Sequence, residues 1–421
     1  MKETLDWLHG RIGLNFAVVP DEVKMAKVFR AAELLGNPQK SYPSIHVTGT
    51  NGKGSTIAFM RELFLAHDKR VGTFTSPHMV SIHDRICVDS KPISDSDFVR
   101  LATQVRQMEE VLVADYEPLS FFEILTLMGL LYFKEQAVDV CLLEVGIGGL
   151  LDTTNIVTGE IALVTSVGLD HQETLGSTLE EIARQKAGIF KPGQQAVLGP
   201  LPAVAKGICQ AEARNLGTEL FCYGEDFSWS DGQFESQGFK VEGLILSLRG
   251  EFQTENAALA LQAFKLFMDK RDFPVDKSKI QMALAQTAWP GRLELVAERI
   301  YLDGAHNLPA LERLVDFIKC QKNRNIYLLF GALKRKDYQE MLSYVEQELS
   351  TAQLFVTSFS YDGALEQKDI GHQRFVDNFV DFVDNFVNRS SSDQLLFITG
   401  SLYFISEVRA YLLSKSVDKE A

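Results

Sequence analysis

Several common protein classes are excluded by what this chain has little of. It carries 5 cysteines in 421 residues, at positions 87, 141, 209, 222 and 320, and no two form a CxxC pair. A zinc knuckle or dithiol motif is therefore not indicated, and reduced thiols of a cytoplasmic protein are expected. Positive charge is not in excess: 42 Lys and Arg face 56 Asp and Glu, a net −14 at pH 7. A duplex-DNA binder needs a basic face that displaces counterions, so no nucleic-acid partner is expected. The opening residues, Met1 to Asp6, lack the apolar core of a signal peptide. The longest apolar run, Ile124 to Phe133, is too short to cross a bilayer. The expectation is a cytoplasmic protein with no membrane partner.

What the chain does have is apolar residues, 46% of the total, with an ordinary charged fraction of 23%. That composition belongs to a globular protein, and the length suits two domains. Short apolar runs predict strands at Ser44–Val47, Val71–Thr75, Val138–Leu143 and Ile161–Val167. Amphipathic stretches predict helices at Thr56–His67, Asp95–Val113, Leu119–Gln136 and Ser177–Lys186, the last opened by a Ser177/Glu180 capping box. Residues 200–250 read as a small antiparallel elaboration before a helix at Glu255–Met268. A second rhythm, with strands at Arg299–Leu302, Ile326–Phe330, Gln353–Val356 and Leu395–Ile398, follows the Pro/Gly punctuation of Trp289-Pro290-Gly291. The fold class expected is α/β: an N-terminal P-loop-type, mostly parallel sheet domain (1–296) and a C-terminal Rossmann-like α/β domain (297–421). A near-copy, Phe375–Asp381 followed by Phe382–Asn388, predicts a core-facing helix through its period of seven.

The segment His46-Val47-Thr48-Gly49-Thr50-Asn51-Gly52-Lys53-Gly54-Ser55 follows a predicted strand and precedes a predicted helix. In that context glycines let backbone N–H groups face phosphate oxygens, and the helix start adds its positive end. Lys53 can reach the outer phosphates, and the Ser55 or Thr56 hydroxyl can meet Mg²⁺ or a phosphate. Gly49 stands three residues before Gly52 rather than the usual five, which argues against a plain GTPase or motor ATPase. Ligands of open parallel sheets bind beyond the carboxyl ends of strands. Ser76, Glu144, and Asp170 with His171 all stand at or just past predicted strand ends, so they converge on one rim with the phosphate loop. Ser76 and Glu144 suit the oxygen preference of Mg²⁺, while His171 is a less usual ligand. Lys186, taken alone, is a lysine complementing a helix C-terminus.

Seven segments carry a family likeness, in order: HVTGTNGKGS, TSPH (75–78), EVGIGGLLDTTN (144–155), LDHQETLG (169–176), KAGIFKPG (186–193), WPGRLE (289–294) and DGAHN (303–307). The chain resembles the folylpolyglutamate synthases of the Mur ligase superfamily from about residue 1 to Gly400–Phe404. The resemblance implies that a folate γ-carboxylate takes the γ-phosphoryl group of ATP and that L-glutamate then attacks the acyl phosphate. It implies ATP contacts from Gly49, Thr50, Asn51, Gly52, Lys53, Gly54, Ser55, Asn256, Arg292 and Asp303. It implies Mg²⁺, two ions in all, held by Ser76, Glu144, His171 and a carbamylated Lys186. Lys53, Lys186 and His306 are implied as catalytic, and Phe122 and Asp152 as substrate contacts. Small-molecule partners (folate, L-glutamate and ATP), a monomer, and a second domain that closes over the reaction are expected with it.

Two departures qualify the likeness. The family often has Arg where Leu150 stands. Bifunctional relatives that also make dihydrofolate carry a pteroate segment that Arg11–Ala26 does not closely resemble. The expectation is therefore a folylpolyglutamate synthase, with the bifunctional enzyme, another Mur-type ligase and a non-catalytic nucleotide-binding regulator as alternatives.

Overall fold

The structure is a computed structural model and describes residues 1–12, 21–334 and 336–420. It divides into two units, Met1–Leu246 with Thr254–Thr287, and Ser247–Gln253 with Ala288–Ala421. Residues 13–20 of the Arg11–Ala26 segment lie outside the described residues.

The first unit is built on β1 (Ser44–Thr48), β2 (Val71–Phe74), β3 (Ile86–Val88), β4 (Lys91–Pro92), β5 (Val140–Glu144), β6 (Ile161–Val164), β7 (Gln195–Leu198) and β8 (Glu219–Cys222). Their order across the sheet is β4-β3-β2-β5-β1-β6-β7-β8. From β2 to β8 neighbours run parallel, and β3 and β4 close one edge antiparallel. All residues of β1 and β5 are buried, so both faces are covered, as parallel strands require. Helices at Asp95–Leu112 and Phe121–Glu135 share a core with Phe74, Cys141 and Leu143. The helix after β1, Lys53–Ala66, anchors through Phe64, whose ring meets Phe264 and Phe267 edge-on at 5.1 and 5.0 Å. Such fully buried rings each stabilise the fold by roughly 1.5–3 kcal/mol of apolar burial. No helix among the described residues is long and apolar enough to cross a membrane.

The antiparallel elaboration is smaller than the sequence pattern indicates: β9 (Phe227–Ser230), β10 (Gln233–Ser236) and β11 (Phe239–Val241). Residues 203–222 instead extend the main sheet, through a helix at Ala203–Leu216 and then β8. That helix buries Ala205, Cys209 and Ala213, side chains too small to give a strong periodic signal. The capping box also sits one residue later. Thr178 caps the helix Leu179–Ala187 with Glu181, and Ser177 N–H donates to the same Glu181 carboxylate at 2.9 Å. Both Ser177/Glu180 and Thr178/Glu181 satisfy the S/T-x-x-E pattern, so local sequence alone leaves the register open.

The second unit has β12 (Glu294–Ala297), β13 (Ile300–Leu302), β14 (Asn325–Phe330), β15 (Gln353–Thr357), β16 (Arg374–Val376) and β17 (Gln394–Thr399), in the order β12-β13-β17-β14-β15-β16. Only β12 runs antiparallel to its neighbour. The near-copied heptads differ at their starts, while Phe379–Asp381 of the first copy already belongs to the helix that holds the second. Phe375 and Val376 lie in β16, whereas the helix is Phe379–Arg389, burying Val383 and Phe386. Near-identical local sequence is overridden by the β15 edge that pairs with the first copy.

Candidate active site

The phosphate loop leaves β1 and is tied down by the segment after β6. Thr50 N–H donates to the Ser166 carbonyl at 2.9 Å, Asn51 N–H to Ser166 Oγ at 2.8 Å, and Thr165 Oγ1 to the Asn51 carbonyl at 2.6 Å. Thr50 Oγ1 donates to the Gly168 carbonyl at 3.1 Å and accepts from Gly168 N–H at 3.0 Å. Sequence reading missed Thr165 and Ser166 because the strand pattern ran on to Val167; the strand stops at Val164 and frees them for the loop. The close approach dictates glycine. A Cβ at Gly49 would overlap Thr165 Oγ1, and one at Gly52, where φ is +88°, would sit 2.5 Å from Asn256 Oδ1. Asn256 is thereby placed at the loop, on the helix Phe252–Asp269. Lys53 opens the helix and holds its ammonium over the loop, donating to the Gly49 and Thr50 carbonyls at 2.9 and 3.5 Å. Gly54 and Ser55 are buried in the helix's first turn. The Thr56 hydroxyl is buried with no hydrogen-bond partner among the described residues.

Neighbouring strand ends bring further polar groups to this edge of the sheet. Glu144 is the last residue of β5 rather than the one after it, is buried, and accepts the Ser76 N–H at 3.0 Å. His171 adopts φ +51°, an uncommon left-handed conformation outside glycine, at the start of a short helix. Its N–H donates to Asp170 Oδ1 at 2.9 Å and its Nε2 lies 4.0 Å from Asp170 Oδ2. Lys186 is buried at the end of the helix Leu179–Ala187. Burial, and then the Lys53 charge, lower its pKa to about 7, against the opposing pull of Asp170. The Lys53 charge thus reaches Lys186, and an anionic ligand beside Lys186 would oppose the lowering.

Asp152 is buried and caps a short 3₁₀ turn. It accepts from Ile147 N–H at 2.9 Å, Thr154 N–H at 2.9 Å and Thr154 Oγ1 at 2.5 Å. Burial raises its pKa, and those hydrogen bonds oppose the rise. Thr154 Oγ1 also meets Nε2 of buried His46 at 2.8 Å, and desolvation pushes that imidazole down to about 3. Phe122 lies beside Asp152: a Cβ on Gly146 would sit 2.8 Å from the Phe122 ring and 3.0 Å from Asp152 Oδ2. Leu150 is exposed at 44%, and its N–H donates to the Gln185 carbonyl at 2.7 Å, so the loop keeps its backbone anchor without an Arg.

In the second unit, Asp303 follows β13 and is buried. Its two oxygens accept Leu293 and Ala305 N–H, each at 2.9 Å. Desolvation raises its pKa while the Arg292 charge opposes the shift. His306 Nδ1 lies 2.8 Å from the Gly304 carbonyl. A carbonyl can only accept, so Nδ1 carries the proton and Nε2 is the accepting nitrogen of the neutral ring.

The two units match known profiles separately. The Mur ligase middle domain matches residues 47–264, and the Mur ligase glutamate ligase domain matches residues 291–402. Fold and site thus define a Mur-type ligase. The dihydrofolate synthase/folylpolyglutamate synthase of Bacillus subtilis (strain 168) is 35% identical over 98% of this chain and 99% of its own. The folylpolyglutamate synthase of Lacticaseibacillus casei is 34% identical over 92% of this chain and 94% of its own. A solved FPGS–AMPPCP–folate complex superposes with a TM-score of 0.85 at 32% identity, covering 98% of this chain and 99% of that one. The chain belongs to the folylpolyglutamate synthase/dihydrofolate synthase family, ATP-dependent acid–amino-acid ligases.

Proposed function

We propose that the protein adds L-glutamate to the γ-carboxylate of a reduced folate at the expense of ATP, and does not use dihydropteroate. The observation that carries the ligase reading is the phosphate loop, clamped by Thr165 and Ser166 beside two lysines, Lys53 and buried Lys186. Such a site stabilises charge on a transferring phosphoryl group. A folate carboxylate oxygen attacks the γ-phosphorus, ADP leaves, and the acyl phosphate forms. The glutamate amine then attacks the carbonyl carbon, phosphate leaves, and an amide remains. His306, with Nε2 as its accepting nitrogen, is suited to take the proton that the amine loses. Asn256, Arg292 and Asp303 are assigned to the nucleotide, and Phe122 and Asp152 to the folate.

The donor set fits magnesium. The Ser76 hydroxyl and the buried Glu144 carboxylate are hard oxygen donors, and His171 would complete the set from a strained backbone position. Bound there, Mg²⁺ would neutralise phosphate charge. A pKa near 7 leaves much of Lys186 as free amine at neutral pH. That amine can add to CO₂ and lose a proton, turning a cation into a carboxylate.

The restriction to folates rests on the Arg11–Ala26 segment, which does not resemble a pteroate-binding segment. A bifunctional activity is the second reading, favoured by the full-length likeness to the Bacillus subtilis enzyme. Mass spectrometry of products from ATP, glutamate and either tetrahydrofolate or dihydropteroate decides between them. Glutamyl additions to tetrahydrofolate alone are expected. Dihydrofolate formed from dihydropteroate would overturn the restriction, and no product from either would overturn the ligase reading.

A further inference from the structure

The loop that carries Asp152 is tied to the end of the helix Leu179–Ala187 by a lysine that belongs to neither. Lys191, half-buried in the turn before β7, donates from Nζ to Asn155 Oδ1 at 2.7 Å and to the Gly188 carbonyl at 3.2 Å. Asn155 is buried, and its Nδ2 donates to the Leu150 and Gly188 carbonyls at 2.9 and 3.1 Å. An ammonium can only donate and a carbonyl can only accept, so together they fix which way the Asn155 amide points. The backbone of the same residue holds Asp152: Asn155 N–H donates to the Asp152 carbonyl at 2.8 Å, and Asp152 N–H to the Gly149 carbonyl at 3.1 Å. The packing leaves no slack. A Cβ on Gly188 would sit 2.4 Å from Leu150 Cβ, and one on Gly149 would sit 2.6 Å from the Gln185 carbonyl oxygen. Burial alone lowers the Lys191 pKa to about 8, and no carboxylate among the described residues offsets that cost. A desolvated cation without a carboxylate is a poor source of stability, and local costs of this kind collect at functional positions.

We infer that Lys191 is a positioning residue for folate binding: through Asn155 it sets where the loop from Gly149 to Asn155 holds Asp152. The inference rests on the assignment of Asp152 to the folate made above. The residues that Lys191 orders include Asp152, whereas the phosphate loop has its own clamp in Thr165 and Ser166. Removing the Lys191 ammonium therefore acts on the folate and spares the nucleotide.

Substitutions on both sides of the contact separate positioning from a purely structural role. Lys191→Met keeps the stem and loses the donor, and Lys191→Arg restores a cationic donor. Asn155→Asp keeps an acceptor for Lys191 but turns a carboxylate toward the Leu150 and Gly188 carbonyls. Thermal midpoints and steady-state kinetics would be measured for these variants and wild type, with tetrahydrofolate, glutamate and ATP varied in turn. Lys191→Met and Asn155→Asp are expected to raise the folate KM about tenfold, the weight of one hydrogen bond. Lys191→Arg should stay within about threefold of wild type on the same scale. The KM values for ATP and glutamate should hold, and the Lys191→Met midpoint should stay within about 2 °C of wild type. A lower midpoint in Lys191→Met with an unchanged folate KM would overturn the inference in favour of a structural role. So would a rise shared equally by all three KM values, or Lys191→Arg performing no better than Lys191→Met. Wild type turning over with folate while the folate KM ignores every change would reject Lys191 alone. Absence of folate-dependent turnover in wild type would reject the folate reading, and this inference with it.

Discussion

The two units arrange charge differently at the carboxyl ends of their parallel strands. The first sets Lys53 over the phosphate loop and Lys186 buried near it, and the Lys53 charge adds to the cost of charging Lys186 while Asp170 and Asp152 oppose it. The second buries a carboxylate, Asp303, secured by two backbone N–H groups, with a histidine whose accepting nitrogen is Nε2. Lysines beside a glycine-rich loop suit a triphosphate, whereas a histidine whose Nδ1 is held by a carbonyl keeps Nε2 as the nitrogen that can take a proton. Under the function proposed above, phosphoryl transfer falls to Lys53 and amine activation to His306.

The largest test of that division is Lys53→Met. Turnover should fall by about 10³-fold or more while the thermal midpoint holds, because the lost cation acts on transferring charge. Near-normal kcat would remove the phosphate-loop assignment. His306→Ala should lower kcat by about 10²–10⁴-fold, the usual worth of a general base, yet leave binding of a non-hydrolysable ATP analogue unchanged by calorimetry. Loss of analogue binding in that variant would erase the division of labour between the units. Gly52→Ala forces a Cβ onto Asn256 at positive φ, and a loss of about 1–3 kcal/mol in denaturant unfolding is expected, with weaker ATP binding. Unchanged stability would show that the loop relaxes freely.

The last test is a pH dependence. In the folded chain Lys186 titrates near 7, against 10.5 when exposed. Between those values the unfolded chain binds the extra proton, so wild-type stability gains with rising pH; below about 7 the full cost of burying the charge is present. In CO₂-free buffer, Lys186→Met should be the more stable protein at pH 6, and its advantage should shrink as pH rises toward 10. A constant gap would mean that Lys186 is not desolvated. Added bicarbonate should narrow the gap at neutral pH if the carbamate forms.

Much of this site was legible because its chemistry is local. A glycine-rich loop between a strand and a helix, and polar residues at the ends of apolar runs, are patterns of adjacent residues. Lys53, Ser76 and Glu144 could be placed that way. The groups that clamp the loop could not: Thr165 and Ser166 looked like the tail of a strand, and only pairing with Asn51 shows where β6 stops. The tautomer of His306 was equally invisible, since it depends on the Gly304 carbonyl accepting from Nδ1.

From the sequence alone came the α/β class, the phosphate loop, and the ordered segments that mark the family, since period and spacing record backbone conformation directly. The tertiary structure alone decided which of two capping boxes forms and why the first pair of each near-copied heptad takes strand in one copy and helix in the other. It also decided how a buried lysine comes to titrate near neutrality. These depend on desolvation, edge pairing and side-chain reach between residues far apart in the chain, and spacing along one chain does not encode them.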